Sequence, residues 1–477
     1  MFRGAHLFLT SYSTVCATVA SVATTGYFYV DYGSASRDCI SSATRLPITS
    51  CDAPVSDVVI VGGGIVGTSL AMFLTASRDD FKFIYNDLQM KPLDSPHGKK
   101  LAVTLLERQT IASEATGLSA GTVYTSGLPK FSVPMSFSCI PTFRHISSLL
   151  YEHLQKNSDI EYTKCGCVQL ATTPEELRFA KESYEKEAAI VSVPESVKFC
   201  GSLEEVKAVL PEASSNVLGA IHTPNSGQVN ASLAAHKCAE IAEKNGAILR
   251  ENVSVKKITK TDDLYSIEAS DGEVFQAKAV VVAAGAWAND VLEENKVDVY
   301  KVKGQMSMSG TEANEGDFSK MPVVYWFESY CAWKDAHTIP HHMTHDKELR
   351  RITRHAYGKR SPDGRLFFGG DRFFPEHDSD YEVNPSIMAD LFKKKIYPSL
   401  PSLSKFFSDD GGSWAGIMPF SKDGYATIDC VDDNGLYVAT GFGASGIMDG
   451  PGATFFLADW VRGNKKHSFL RKFERRK

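Results

Sequence analysis

The stretch SDVVIVGGGIVGTSLAMFLTAS, beginning at Ser56, constrains the fold more than any other. Asp57 to Val61 is a run rich in β-branched residues, the pattern of a strand buried on both faces. Gly62, Gly64 and Gly67 then give G-x-G-x-x-G, and Val66 to Thr75 reads as a helix. Strand, glycine turn and helix in that order let the backbone, Ile65 and Val66 included, approach a pyrophosphate. The helix N-terminus stabilises its negative charge. Alone the glycine spacing would say little; with its flanks it points to a dinucleotide site in an α/β domain.

Such a site needs a carboxylate at the end of the second strand to hold a ribose. LAVTLLER provides Glu107, followed by Arg108. Glu107 lies about twice as far beyond the third glycine as the ~20 residues that are usual. The extra length falls in FKFIYNDLQMKPLDSPHGKK, which reads as a surface loop. Near the other end, GFGASGIMDGPGATF places Gly441, Gly443, Gly446, Gly450 and Gly452 just before an apolar, helix-like run. Glycine weakens local order, so this stretch needs either tight turns or something pressed against its backbone.

At 477 residues and 43% hydrophobic content the chain can bury two or three domains. A net charge of −6 gives no electrostatic basis for nucleic-acid binding. The basic ending RGNKKHSFLRKFERRK reads as a solvated tail. The ten cysteines are irregularly spaced, only Cys165 and Cys167 are close, and no zinc spacing appears. They read as reduced core residues of an intracellular protein. Residues 1–54 differ from the rest: no acidic residue precedes Asp31, and Ser, Thr and Ala abound. That composition fits an organelle transit peptide, mitochondrial by preference. The run from Thr14 to Val30 leaves an uncleaved membrane anchor, or a cytoplasmic protein, as alternatives, and is the only place for membrane contact. IPHHMTHDKE, with His341, His342 and His345, follows Pro340 and reads as a surface or lid loop rather than a metal site. YWFESYCAWK could line a pocket or form a core strand.

Further stretches complete a pattern: NGAILRENVSVKKI, a helix end and strand; KAVVVAAGAWANDVL, a strand ending in a glycine turn; VKGQM; DGRLFFGGDRF; WAGIMPFSKDGYATI; and GLYVATGFGASGIMDGPGATFFLADWV. In this order, from about Ser56 to Gly463, they resemble the D-amino-acid-oxidase-like FAD oxidoreductases. That group includes glycine and sarcosine oxidases, dimethylglycine dehydrogenase and 2-hydroxyglutarate dehydrogenase. The resemblance implies an α/β fold: a Rossmann-like FAD-binding domain of the glutathione-reductase type, interleaved with an α+β substrate domain whose sheet is mostly antiparallel. The FAD domain would take residues 55–145, 220–298 and 404–464, the substrate domain 146–219 and 299–403, and a basic tail 465–477.

By the same resemblance, ASEATGLSAGTV is the second flavin-contacting loop, with Thr116, Gly117, Ser119, Ala120 and Gly121. Val255 meets the adenine, and Ala284, Gly285 and Trp287 end the third nucleotide segment. Gly416 lies in a closing FAD motif. Gly441 and Gly443 lie against the flavin, and Gly446, Ile447 and Met448 present N–H groups to its O2 edge, with a helix starting near Pro451. The implied reaction is hydride transfer to flavin N5 from a C–H beside an amine, with oxygen or an electron carrier as acceptor. A 2-hydroxy acid substrate, or an FAD-binding assembly factor without catalysis, are the alternatives. A carboxylate substrate calls for an arginine fork. Of Arg354, Arg360, Arg365 and Arg372, Arg360 lies nearest the position used by glycine-oxidase-like members, so Arg360, Tyr357 and Arg354 form the expected catalytic set. Arg365, beside Asp363 and Gly364, reads as a turn residue. Met418, Ala444 and Met448 depart from basic positions of amino-acid-oxidising members, which favours a bulkier or less charged amine, or a hydroxy acid held differently. GLSAGTV lacks the histidine of a covalent flavin link, so FAD is expected to be non-covalent.

Overall fold

β1 (Ser56–Val61) alternates its side chains between two cores: Val58 and Ile60 enter one cluster, Val59 and Val61 another. Around it the computed structural model describes residues 55–90, 101–125, 139–188, 197–313, 318–327, 351–353, 356–407, 411–421 and 424–475. The N-terminal segment and the histidine stretch lie outside the described residues. β2 (Val103–Leu106) runs parallel to β1, and β3 (Ile248–Arg250) runs parallel to β2. β4 (Val274–Val282) runs parallel to β1 on its other side.

All of α1 (Ile65–Thr75) is buried except Val66, as a helix apolar all round must be. α2 (Lys82–Asp87) lies in the stretch expected to be a plain loop. Phe81, Ile84 and Tyr85 are spaced to face inward and pack into the first core, so this part of the insertion is built in rather than looped out. α3 (Cys139–Asn157), α4 (Ala231–Lys244) and α5 (Gly446–Val461) complete that core, with α4 and α5 directly on α1 and α3 against α5. The boundary expected at 145/146 thus falls inside α3.

β5 (Val299–Met308), β6 (Val323–Trp326), β7 (Tyr357–Arg360), β8 (Leu366–Phe373) and β9 (Ser413–Ser421) belong to a second sheet of nine strands. Their spatial order is β9-β5-β8-β7-β6, continuing through Cys167–Ala171, Gly219–Thr223 and Lys198–Cys200. Pairing is antiparallel except where β6 meets Cys167–Ala171. β9, expected with the FAD-domain pieces, pairs with β5 from Ser413 to Ser421. The chain rejoins the first sheet only afterwards, through Thr427–Cys430 and β10 (Leu436–Thr440), which pair antiparallel, β10 running parallel to β4. YWFESYCAWK opens as a core strand: Trp326 is buried and its Nε1–H donates to Ser399 Oγ at 2.9 Å.

One irregularity decides what faces the cleft. Met306 lies opposite Gly369, yet Gly304 lies opposite Arg372, so β8 carries an extra residue. Gly370, at φ +117°, takes up the distortion. The bulge reverses the alternation and turns Arg372 onto the face shared by Gly369 and Tyr357.

The basic tail is docked rather than solvated. Leu470 and Phe473 are buried, Lys466 pairs with Asp429 at 3.1 Å, and the Arg475 N–H donates to the same carboxylate. Apolar side chains at intervals within the basic run give it a face to bury. Cys165, Cys167, Cys200, Cys238 and Cys430 are thiols in no disulfide.

Candidate functional site

After Val61 the chain turns at Gly62, φ +116°, where a Cβ would lie 2.4 Å from the Ala283 carbonyl oxygen. A Cβ on Gly67 would lie 1.9 Å from the Gly62 carbonyl oxygen. Glycine at both positions lets α1 start tight against the turn. α1 has no side-chain cap and no acidic residue in its first turn. Gly64, Ile65 and Val66 face an open cleft, so the helix dipole is directed at whatever fills it; of the first N–H groups, that of Ile65 donates to Thr116 Oγ1 at 3.0 Å, and Thr116 lines the same cleft. Glu107, 8% exposed, is fixed at the end of β2: its carboxylate accepts from the Gly63 N–H at 2.7 Å and the Gln109 N–H at 2.9 Å. Its remaining lone pairs can accept hydroxyl donors from the cleft.

The cleft takes in about 1420 Å³ of non-protein space, open solvent included, and its lining runs from the Gly62 turn to Ile447. Of the expected cofactor residues, Gly62, Gly64, Ile65, Val66, Glu107, Arg108, Thr116, Ser119, Ala120, Gly121, Val255, Ala284, Gly285, Trp287, Gly443, Gly446 and Ile447 line it. Gly67, Gly117, Gly416 and Met448 do not. The three glycines serve packing: Cβ atoms there would meet Gly62 O at 1.9 Å, Ala112 O at 2.1 Å and Leu118 Cβ at 2.9 Å. Met448 is buried beside Tyr124 and Tyr325. Gly441 forms a turn at φ +77° outside the lining.

Several lining residues carry no local signal. Glu114 pairs with Arg108 at 2.5 Å and accepts from the Tyr381 hydroxyl at 2.7 Å, while the Arg108 guanidinium stacks 3.8 Å from the Trp287 ring centre. Val253 reaches the cleft because its N–H donates to the Glu107 carbonyl at 2.8 Å. Thr440 Oγ1–H donates to the Gly285 carbonyl at 2.7 Å. Apart from the Arg108–Glu114 pair, these contacts join distant segments, so no local pattern marks them.

At the far end of the cleft α5 begins at Gly446, not near Pro451 as expected. Pro451 lacks the N–H that would satisfy the Ile447 carbonyl one turn back. The Tyr151 hydroxyl donates to that carbonyl instead, at 2.7 Å. The helix therefore runs through the proline, and its uncapped first residues, Gly446 and Ile447, line the cleft.

Beside this end lies one face of the second sheet. Tyr357 stacks on Tyr325, ring centres 5.6 Å apart, and Tyr124 meets Tyr325 edge-on at 6.1 Å. The Tyr325 hydroxyl donates to Thr122 Oγ1 at 2.5 Å, on the cleft wall. Burial pushes the pKa of Tyr325 well up and raises that of Tyr357, so both stay protonated donors at neutral pH. The expected catalytic set divides. Tyr357 is on this face. Arg360 is not: on β7 it lies opposite Leu366, and its Nε–H donates to the Ala313 carbonyl at 3.1 Å, in the core behind the sheet. Arg354 lies outside the described residues. Arg365 pairs with Asp363 at 2.9 Å, as a turn residue would. The arginine on the cleft-side face is Arg372, whose guanidinium carbon lies 5.5 Å from the Phe420 ring centre.

A sequence model described as FAD dependent oxidoreductase (DAO) matches residues 57–460. The chain belongs to that family. FAD is its cofactor, and the cleft fits it: the starts of α1 and α5, the Gly62–Gly64 turn and the buried Glu107 carboxylate line one space. Glycine oxidase of Geobacillus kaustophilus is 25% identical over 85% of this chain and 92% of its own length. Its crystal structure superposes with a TM-score of 0.68 over 88% of this chain and 98% of that one, at 23% identity. The formaldehyde-forming 4-methylaminobutanoate oxidase of Paenarthrobacter nicotinovorans is 25% identical, covering 88% of this chain but 45% of that longer protein. An FAD-bound L-α-glycerophosphate oxidase from Mycoplasma pneumoniae shares the fold, with a TM-score of 0.66 at 17% identity over 87% of this chain and 97% of that one.

Proposed function

We propose that this flavoenzyme oxidises a C–H beside an amine nitrogen, taking an amine or amino-acid-like substrate. One observation carries the reading: the cleft's α5 end adjoins a buried face of tyrosines, an arginine and apolar side chains. The amine-oxidising names of the two sequence relatives support it. The FAD held by the lining residues supplies a hydride acceptor.

The chain's own residues bind, orient and exclude water. Met418 and Ala444 make an apolar wall that keeps an amine neutral enough to offer its lone pair. Tyr357 and Tyr325 provide fixed protonated hydroxyls and flat ring faces that orient the carbon to be oxidised. The N-terminal end of α5 favours negative charge developing at the cleft's end. Oxygen or an electron carrier then closes the cycle.

The test is anaerobic mixing of the holoprotein with amino acids, N-methyl amino acids, polyamines and 2-hydroxy acids, following loss of the oxidised flavin's visible band. Bleaching by members of the nitrogen-containing classes is expected. Bleaching by 2-hydroxy acids alone would move the reaction to a C–O bond. An oxidised spectrum with every compound would reject the reading.

A further inference from the structure

An anionic substrate needs a cation, and the cleft wall offers none where Met418 and Ala444 stand. Among the described residues that line the cleft, Arg108 is the only cation, and it sits by Trp287, paired with Glu114. Charge arrives from another strand. Arg372, 2% exposed, is turned by the β8 bulge onto the face carrying Tyr357 and Gly304. On β5, Gly304 separates Arg372 from Gly416 of β9. With no side chains at either glycine, the guanidinium extends over β5 toward Phe420 of β9. Phe420 packs in one cluster with Met418 and Ala444, the two cleft-wall residues. A Cβ on Gly304 would lie 2.7 Å from the Met418 methyl, so the same gap admits both the methionine and the arginine's approach.

We propose that Arg372 is the specificity-determining cation of the substrate pocket, accepting the carboxylate of an amine substrate in its fork with the Tyr357 hydroxyl beside it. The charge for that role comes from β8 rather than from the Met418 position of β9. This rests on the amine-oxidising reading above. Taking a guanidinium out of water is costly, and a merely space-filling position would hold an apolar residue, as β9 does with Met418. The planar guanidinium matches a carboxylate with two parallel hydrogen bonds, which a lysine cannot do. Burial lowers the Arg372 pKa to about 10, with Tyr357, Tyr325 and Asp371 opposing the shift, so it stays cationic at neutral pH.

Holoprotein is titrated with N-methylated amino acids and with their amides, reading ligand affinity from the perturbed flavin spectrum and then the rate of anaerobic reduction. The wild type is expected to prefer the carboxylate. Arg372→Met should weaken carboxylate binding on the order of 100-fold and leave the amide unchanged. Arg372→Lys should fall between. Arg372→Met combined with Met418→Arg should recover the preference, because Met418 occupies the same face two strands over, across β5. Lys359→Met, which removes the other buried cation on that face, should keep the wild-type preference. Carboxylate preference that survives in Arg372→Met, or disappears in Lys359→Met instead, overturns the proposal. A wild type that prefers amides and is reduced by uncharged amines overturns it too, while leaving the amine reading intact. Carboxylate binding that depends on Arg372 in a protein no amine reduces would keep the proposal and reject that reading. Should Arg372→Met lose its flavin, the lysine variant provides the same comparison.

Discussion

Lys359 lies on the Tyr357 face of β7, 6% exposed, with its ammonium 5.7 Å from the Phe367 ring centre. Burial lowers its pKa from 10.5 to about 8, and the negative potential of Cys165, Glu161 and Asp363 only partly opposes that. Between those two values the unfolded chain holds more protons than the folded one, so stability rises with pH across that window. At pH 7 the buried ammonium therefore destabilises the fold, by up to about 3 kcal/mol. Lys359→Met should be more stable than wild type at pH 7, and the gap should narrow steadily toward pH 10. Urea unfolding of both proteins at several pH values measures it; parallel curves across the window would refute the assignment. Tyr325 and Tyr357 titrate in both proteins and cancel in the difference. Arg360 and Arg372 show how far single residues were legible. Both are arginines on predicted strands of the substrate sheet, and strict alternation gives no reason to prefer Arg372. The bulge at Gly370 does, and GG within DGRLFFGGDRF is its only trace in the sequence.

Among the elements, α5 depends most on help from elsewhere. A proline six residues into a helix normally ends or kinks it. Here Tyr151 of α3 supplies the missing donor to Ile447, and the Gly452 N–H bonds Ser147 Oγ of the same helix at 3.0 Å. A Cβ on Gly452 would lie 2.1 Å from the Phe143 carbonyl oxygen, so the crossing is close enough for both bonds. Tyr151→Phe keeps the ring and leaves the buried Ile447 carbonyl without its donor. The expected cost is about 1–3 kcal/mol of stability, with weaker FAD retention because Ile447 lines the cleft. Denaturant unfolding and the fraction of bound flavin after dialysis check both effects; an unchanged midpoint and full flavin content would show that the hydroxyl does not hold the helix start. From sequence alone Pro451 marks the start of a helix, since prolines favour first turns. The five earlier residues became helical through a tertiary hydrogen bond that no local pattern contains. β1 and α1 were legible for the opposite reason: apolar burial, glycine turn and helix start all lie within one continuous stretch.

Taken whole, the molecule wraps one cleft with segments far apart in the chain. Val61–Gly62 and Gly64–Val66 meet Leu106–Arg108, Ala112–Thr122 in part, Val253–Val255, Ala283–Trp287, Met418–Pro419 and Ala439–Ile447 in part. The glycine fingerprint announced the first of these and the family resemblance the others. The pairing that carries β9 into the second sheet leaves no signature in its own stretch, because strand partners are set by long-range packing. A ligand that touches all these segments binds only the folded chain, so its free energy of binding adds to stability. Removing FAD should therefore lower the melting temperature, and adding it back should raise it in proportion to the logarithm of its concentration, by about 2.7 kcal/mol of stability at 100 times Kd. The loop from Thr116 to Gly121 holds no histidine to anchor the flavin covalently, so acid precipitation should leave the yellow colour in the supernatant. Apoprotein prepared in this way or by mild chaotrope should regain its melting temperature with FAD and not with riboflavin, since riboflavin cannot reach Glu107 or the start of α1. Colour that stays with the pellet would mean a covalent link outside that loop. A melting temperature indifferent to added FAD would mean that FAD does not bind the folded chain in preference to the unfolded one, and the cleft could not be its site.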